Sequence, residues 1–139
     1  MPESSLTPEL ASHRAECMRI VMILTAAPEH PMAWHAVHLA ESLSQMGHQV
    51  LPFFYMDAVR VANRLQWQPS DQPCLLRKWQ QLTLDKPVCV SAALARGVTD
   101  ADNQQQHQLP THNLANGFRL TGLGELAELT LTADRLIRL

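Results

Sequence analysis

Charge is scarce in this sequence. Of its 139 residues, 17% are Asp, Glu, Lys or Arg, against roughly 25% in an ordinary domain. Eleven Lys+Arg and thirteen Asp+Glu leave a formal net charge of -2, so no field draws the chain onto DNA, RNA or anionic lipid. Long hydrophobic runs are missing too. No stretch approaches the roughly 18 continuous apolar residues of a membrane span, and Met1–Cys17 carries acidic and polar residues where a signal peptide needs an apolar run. Cysteine is sparse and unpatterned. Cys17, Cys74 and Cys89 are an odd number without CxxC spacing, which excludes a disulfide framework and a zinc knuckle. The default is a cytoplasmic protein with reduced thiols, in which a cysteine of interest is catalytic or inert rather than structural.

What is present points to a packed domain. Hydrophobic residues make up 46% of the chain, and a chain this long buries roughly two-thirds of its unfolded surface. So little charge on one domain implies that part of the surface is covered by other subunits. Residues 1–17 read as a flexible extension, with Thr7 and Pro8 able to start a short helix. The domain proper is 18–139.

Arg19–Thr25 is a β-branched apolar run, the mark of a strand covered on both faces. Ala33–Met46 has helical period, with Trp34, Val37, Ala40 and Leu43 on one stripe, and Gly47 is placed to end it. His48–Tyr55 reads as a strand in which Pro52 lacks a ladder donor, a feature of an edge or a bulge. Asp57 is positioned to cap a helix through Val59, Ala62 and Leu65. Cys74–Leu84 is helical, with Leu75, Leu76, Trp79 and Leu82 facing inward. Pro87–Val90 is a short strand, and Ser91–Arg96 a short helix with Ser91 as its cap and Gly97 beyond its end. Thr99–Pro110 is a polar surface helix or loop. Gly122 and Gly124 give a tight turn into a helix over Glu125–Thr132, and Arg135–Leu139 is a last strand. Strands alternating with helices predict a single α/β domain with a doubly wound parallel sheet.

In such sheets chemistry collects at the carboxyl ends of the strands. Cys89 stands there, at the end of its strand and just before a helix. Helix N–H groups and the helix dipole favour a thiolate, so the placement suits a sulfur nucleophile, with the amides of Ser91 and Ala92 as stabilising groups. The same position also suits a small apolar residue buried in a strand. Cys74 opens a surface helix and Cys17 lies in the extension, so both read as incidental thiols. The histidines invite a metal reading, above all His30, His35 and His38; His35 and His38 are spaced to share a metal, but a site needs at least a third ligand and both fall mostly on the polar side of their helix. No GxGxxG, Walker or Gly-x-Ser-x-Gly pattern occurs, which argues against a bound nucleotide and against a serine hydrolase. No cofactor and no metal are expected.

The local sequence around Cys89 then becomes specific. Pro87-Val88-Cys89-Val90-Ser91-Ala92-Ala93-Leu94-Ala95-Arg96-Gly97-Val98 resembles the active-cysteine segment of the DsrE/TusD family of sulfur-relay proteins. Phe53-Phe54-Tyr55 with Val59 and Ala62-Asn63, Asn113-Leu114 through Gly117-Phe118, and Thr121-Gly122-Leu123-Gly124-Glu125-Leu126-Ala127-Glu128 are similar to other family segments, in the same order and spacing. The loop Ala27–Met32 departs from the glycine-containing loop that family members often carry after the first strand.

The resemblance implies a flavodoxin-like fold and a sulfurtransferase whose Cys89 carries sulfur as a persulfide. It implies donor and acceptor sulfur-carrier proteins as partners. It also implies related subunits, in a hetero-hexamer of three subunit types or in a homo-oligomer, with no direct nucleic-acid or membrane contact. Family relays lead to 2-thiouridine in tRNA or serve dissimilatory sulfur oxidation. The main alternative is a non-catalytic scaffold subunit of the same kind of assembly. A flavin- or nucleotide-binding protein is a second alternative, and it lacks a phosphate loop.

Overall fold

The computed structural model describes residues 16–139, so the expected short helix at Thr7 lies outside the described residues. Five strands are separated by helices: β1 (Arg19–Leu24), α1 (Pro31–Gln45), β2 (Gln49–Phe54), a 3-10 helix (Met56–Ala62), α2 (Leu75–Gln81), β3 (Lys86–Cys89), α3 (Val90–Ala95), α4 (Ala101–Gln106), β4 (Phe118–Thr121), α5 (Leu123–Thr132) and β5 (Arg135–Arg138). All strand pairs are parallel and the sheet order is β4-β3-β2-β1-β5. This is the single α/β domain that the alternating pattern predicts. Right-handed crossovers dictate its layering. The steps from β1 to β4 all run one way and place their connections on one face. The return from β4 to β5 runs the other way and puts α5 on the opposite face.

The core lies mainly between the sheet and α1, α2 and the 3-10 helix. Met22, Phe53, Phe54, Val37, Val59, Trp79 and Val88 are fully buried. Phe54 meets Trp79 edge-on at 5.0 Å and Phe118 at 5.3 Å, tying three elements together at one ring. On α1 the buried residues are Ala33, Ala36, Val37 and Ala40. Trp34 and Leu43 from the expected stripe sit half-buried at its border. Gly47 has φ +90 and ends α1 as expected.

Several local expectations change. Pro52 is neither on an edge nor in a bulge: β2 is the central strand, and Pro52 pairs with Met22. The backbone phase explains the tolerance. Gln49 and Tyr55 donate to Met18 and Leu24 on the β1 side, so odd residues of β2 address β1 and Pro52 turns its missing donor towards β3. There the pairing is confined to Phe54↔Val88. The segment before Gly122, to which the sequence assigns no element, is a strand. Phe118–Thr121 is the edge strand β4, paired with β3 from Lys86↔Phe118 to Cys89↔Thr121, and Gly122 has an ordinary φ of -84 as the N-cap of α5. The helix after β2 is a 3-10 helix that stops at Ala62, with Tyr55 and not Asp57 as its N-cap. Helix α3 begins at Val90 and its N-cap is Cys89, two residues before Ser91, which was expected to hold that position.

Candidate functional site

Cys89 is the last residue of β3 and the N-cap of α3, with φ -60 and ψ 118. A strand handing over directly to a helix puts its side chain at the carboxyl end of the sheet, beside the first N–H groups of α3. Ser91 is exposed at the second helical position and Ala92 is buried at the third. The Cys89 side chain makes no capping hydrogen bond to either. The thiol is also covered, since Cys89 is 1% exposed. No reagent reaches such a sulfur without some movement of its surroundings.

Part of this cover is the 3-10 helix, whose Asp57, Val59 and Ala62 the sequence named without their packing partners. The 3-10 helix packs against both α3 and β3, burying Ala58, Val59, Val61 and Ala62. It starts at Met56, whose φ of +50 is the left-handed region, a conformation that costs an L-residue about 1–2 kcal/mol. Two exposed ion pairs hold it down. Arg96 Nε donates to Asp57 Oδ1 at 2.8 Å, joining the far end of α3 to the 3-10 helix, while Arg96 Nη1 donates to the Ala92 carbonyl at 3.2 Å. Arg60 grips Glu29 of the β1–α1 loop through both oxygens, at 2.9 and 2.6 Å. That hydrogen bond from Arg60 holds the Glu29 carboxyl below its ordinary value.

The end of the cover is fixed by a buried amide. Asn113 is 6% exposed, and its Nδ2 donates to Asn63 Oδ1 at 3.0 Å and to the Gly97 carbonyl at 2.8 Å. Its Oδ1 accepts from the Thr99 N–H at 2.9 Å. One side chain thus joins the end of the 3-10 helix to the chain leaving α3. Asn63 and Asn113 both fall in the segments that carried the family resemblance, which is the only sequence signal that could have found them.

The other candidates do not converge on Cys89. Cys17 is exposed and Cys74 is the half-buried N-cap of α2. His35 and His38 are exposed on α1, His38 resting 5.8 Å from the Trp34 ring. His30 caps α1 by accepting from the Met32 N–H at 3.0 Å, and His48 accepts from the Met18 N–H at 3.2 Å. Among the described residues no group of three His, Cys, Asp or Glu could hold a metal ion. No helix among them is long and apolar enough to cross a membrane.

Known proteins are similar to this chain in sequence or in fold. The family model described as DsrE/DsrF-like family matches residues 18–139. A protein named Sulfurtransferase TusD from Klebsiella pneumoniae is 43% identical over 127 residues, covering 87% of this chain and 99% of that protein. A protein of the same name from Yersinia pestis is 44% identical over 108 residues, covering 74% of this chain and 82% of its own length. Among solved structures, the ychN protein of E. coli superposes with a TM-score of 0.72 at 23% identity, covering 88% of this chain and 99% of that one, and so shares the fold.

Proposed function

The chain belongs to the DsrE/DsrF-like family, and from that premise we propose that it is a TusD-like sulfurtransferase whose Cys89 accepts sulfur as a persulfide and passes it to an acceptor protein thiol. The observation that carries this reading is the position of Cys89, the one cysteine at a strand's carboxyl end and at the N-cap of the next helix. The Cys89 thiolate attacks the outer sulfur of a donor persulfide. The donor S–S bond breaks, its electron pair leaves on the donor's inner sulfur, and Cys89 becomes the persulfide. An acceptor thiolate repeats the step on Cys89. Each exchange is redox-neutral and depends on thiolate basicity. The Ser91 and Ala92 amides stabilise the Cys89 thiolate once the cover moves and the sulfur can turn towards them.

Assembly with related subunits belongs to the same reading. Helix α5 has no buried residue, and Leu131 and Leu136 on α5 and β5 are 85% and 54% exposed. Apolar side chains standing out on one layer support a face covered by another subunit.

The test is loading with inorganic polysulfide, followed by intact mass and mapping of the modified peptide. The native chain is expected to gain sulfur at Cys89, and Cys89→Ser to gain none there while keeping its fold and oligomeric state. Sulfur loading that is unchanged in Cys89→Ser overturns the assignment. One observation favours the second reading, a scaffold subunit: Cys89 is 1% exposed. A Cys89 that reacts only when the whole domain unfolds decides for the scaffold.

A further inference from the structure

Beside the cover of Cys89 runs a groove that the sulfur chemistry leaves unused. It lies along the loop between the 3-10 helix and α2, lined among others by Arg64, Trp67, Cys74 and Arg77, and no Asp or Glu contributes to its lining. Trp67 is 85% exposed and Leu65 next to it 58% exposed, an unusual display for a tryptophan in a chain that holds Trp79 in its core. The ion pairs among the described residues engage Arg60, Lys78, Arg96 and Arg119. Arg64 is therefore left to a carbonyl, that of His112 at 2.6 Å, and exposed Arg77 to solvent. Asp71, in the same loop, stands outside the lining. An adjoining groove that shares Gln66, Gln68, Gln72, Cys74 and Leu76 with this one reaches Val61 and Glu29, so the surface is continuous with the 3-10 helix that packs against β3 and α3.

We infer that this groove is the docking surface for the partner protein that exchanges sulfur with Cys89, and that the partner's contacting segment carries carboxylates beside an apolar side chain. The inference rests on the proposed sulfur transfer. Tryptophan and arginine are the residues that most often anchor protein interfaces, and two arginines without a carboxylate complement an acidic segment. The chain's net charge of -2 pushes the other way, so a preference for acidic partners must come from this local pair.

The test uses three synthetic peptides of one length, each with a single cysteine persulfide and one phenylalanine, flanked by glutamates, serines or lysines. Transfer to Cys89 of the full chain is followed by mass at low ionic strength, and inorganic polysulfide serves as a donor without a docking segment. In each peptide reaction Cys89 gains the outer sulfur and the peptide leaves as its thiolate. The acidic peptide is expected to react about 3- to 10-fold faster than the basic one, an advantage that salt removes. Arg77→Glu is expected to abolish or reverse that order, and Trp67→Ala to slow the acidic peptide, while both variants keep the native rate with polysulfide. Equal rates for all three peptides, faster transfer from the basic one, or a preference that survives Arg77→Glu overturns the inference and leaves the sulfur chemistry standing. Failure of Cys89 to load even from polysulfide overturns both. A loss of oligomeric mass in Trp67→Ala or Arg77→Glu, seen by light scattering, assigns the groove to a second copy of the chain and also overturns it.

Discussion

The proposed exchange of sulfur between buried Cys89 and another protein sets a measurable requirement on the cover. With Cys89 at 1% exposure, modification by a small alkylating reagent proceeds through local opening, and its rate reports the opening equilibrium. The Asp57–Arg96 pair joins the 3-10 helix to the far end of α3, at 2.8 Å and with its side chains 57% and 31% exposed. Exposed pairs of this kind contribute about 0.2–1 kcal/mol, so losing one is expected to raise the opening equilibrium about 1.4- to 5-fold. Asp57→Ala is the cleaner perturbation, because Arg96 also holds the Ala92 carbonyl. Glu29→Ala, which frees Arg60, is expected to act in the same direction. Asp57→Ala, Arg96→Ala and the double variant complete a mutant cycle, in which the double variant gains less than the product of the single gains. The assay is time-resolved alkylation with peptide mapping, which separates Cys89 from exposed Cys17 and half-buried Cys74. Global stability is measured in parallel by denaturant. Alkylation of Cys89 as fast as in the unfolded chain refutes the reasoning. So does a Cys89 rate unaffected by Asp57→Ala, or one that simply follows global unfolding.

Asn113→Ala removes three hydrogen bonds from a buried amide and leaves the Thr99 N–H and the Gly97 carbonyl without their partner. The expected loss is about 2–3 kcal/mol in the denaturant midpoint at unchanged m-value. Phe54→Ala takes away the ring that meets Trp79 and Phe118 and is expected to cost about 3–5 kcal/mol by the same measurement. Arg119 bridges Asp85 and Glu125 at 2.6 and 2.8 Å, and its hydrogen bond lowers the Asp85 carboxyl below the ordinary 3.8. A lowered carboxyl stabilises the fold above its ordinary value, and that contribution is lost as pH falls through the folded value. The stability gap between the native chain and Arg119→Ala, up to about 1 kcal/mol at this half-exposed site, is therefore expected to be full at pH 7 and to close below 3.8, the ordinary value of Asp85. A gap unchanged across that range contradicts the assignment.

The elements legible in the sequence were those whose pattern is local. The apolar run of β1, the period of α1 and its Gly47 stop each follow from neighbours a few residues apart, and the alternation of strands and helices carried the fold class. The readings that changed depend on partners distant in sequence. Pro52 signals an edge only until its empty donor position is known to face β3, where pairing is confined to a single residue pair. Phe118–Thr121, flanked by Gly117 and Gly122, has too little apolar length to announce a strand. It becomes one because Lys86–Cys89 offers it a ladder.

For the site the division is similar. The sequence by itself singled out Cys89 as the candidate thiol, because a cysteine between a short β run and a helix start can be read within one segment. It also carried the family, through residues in fixed order and spacing. Only the tertiary structure decided that Cys89 is covered, and by what. Asp57 meets Arg96 across 39 positions and Asn63 meets Asn113 across 50. Contacts over such separations exist only after the sheet has brought its carboxyl ends together, so no local pattern records them.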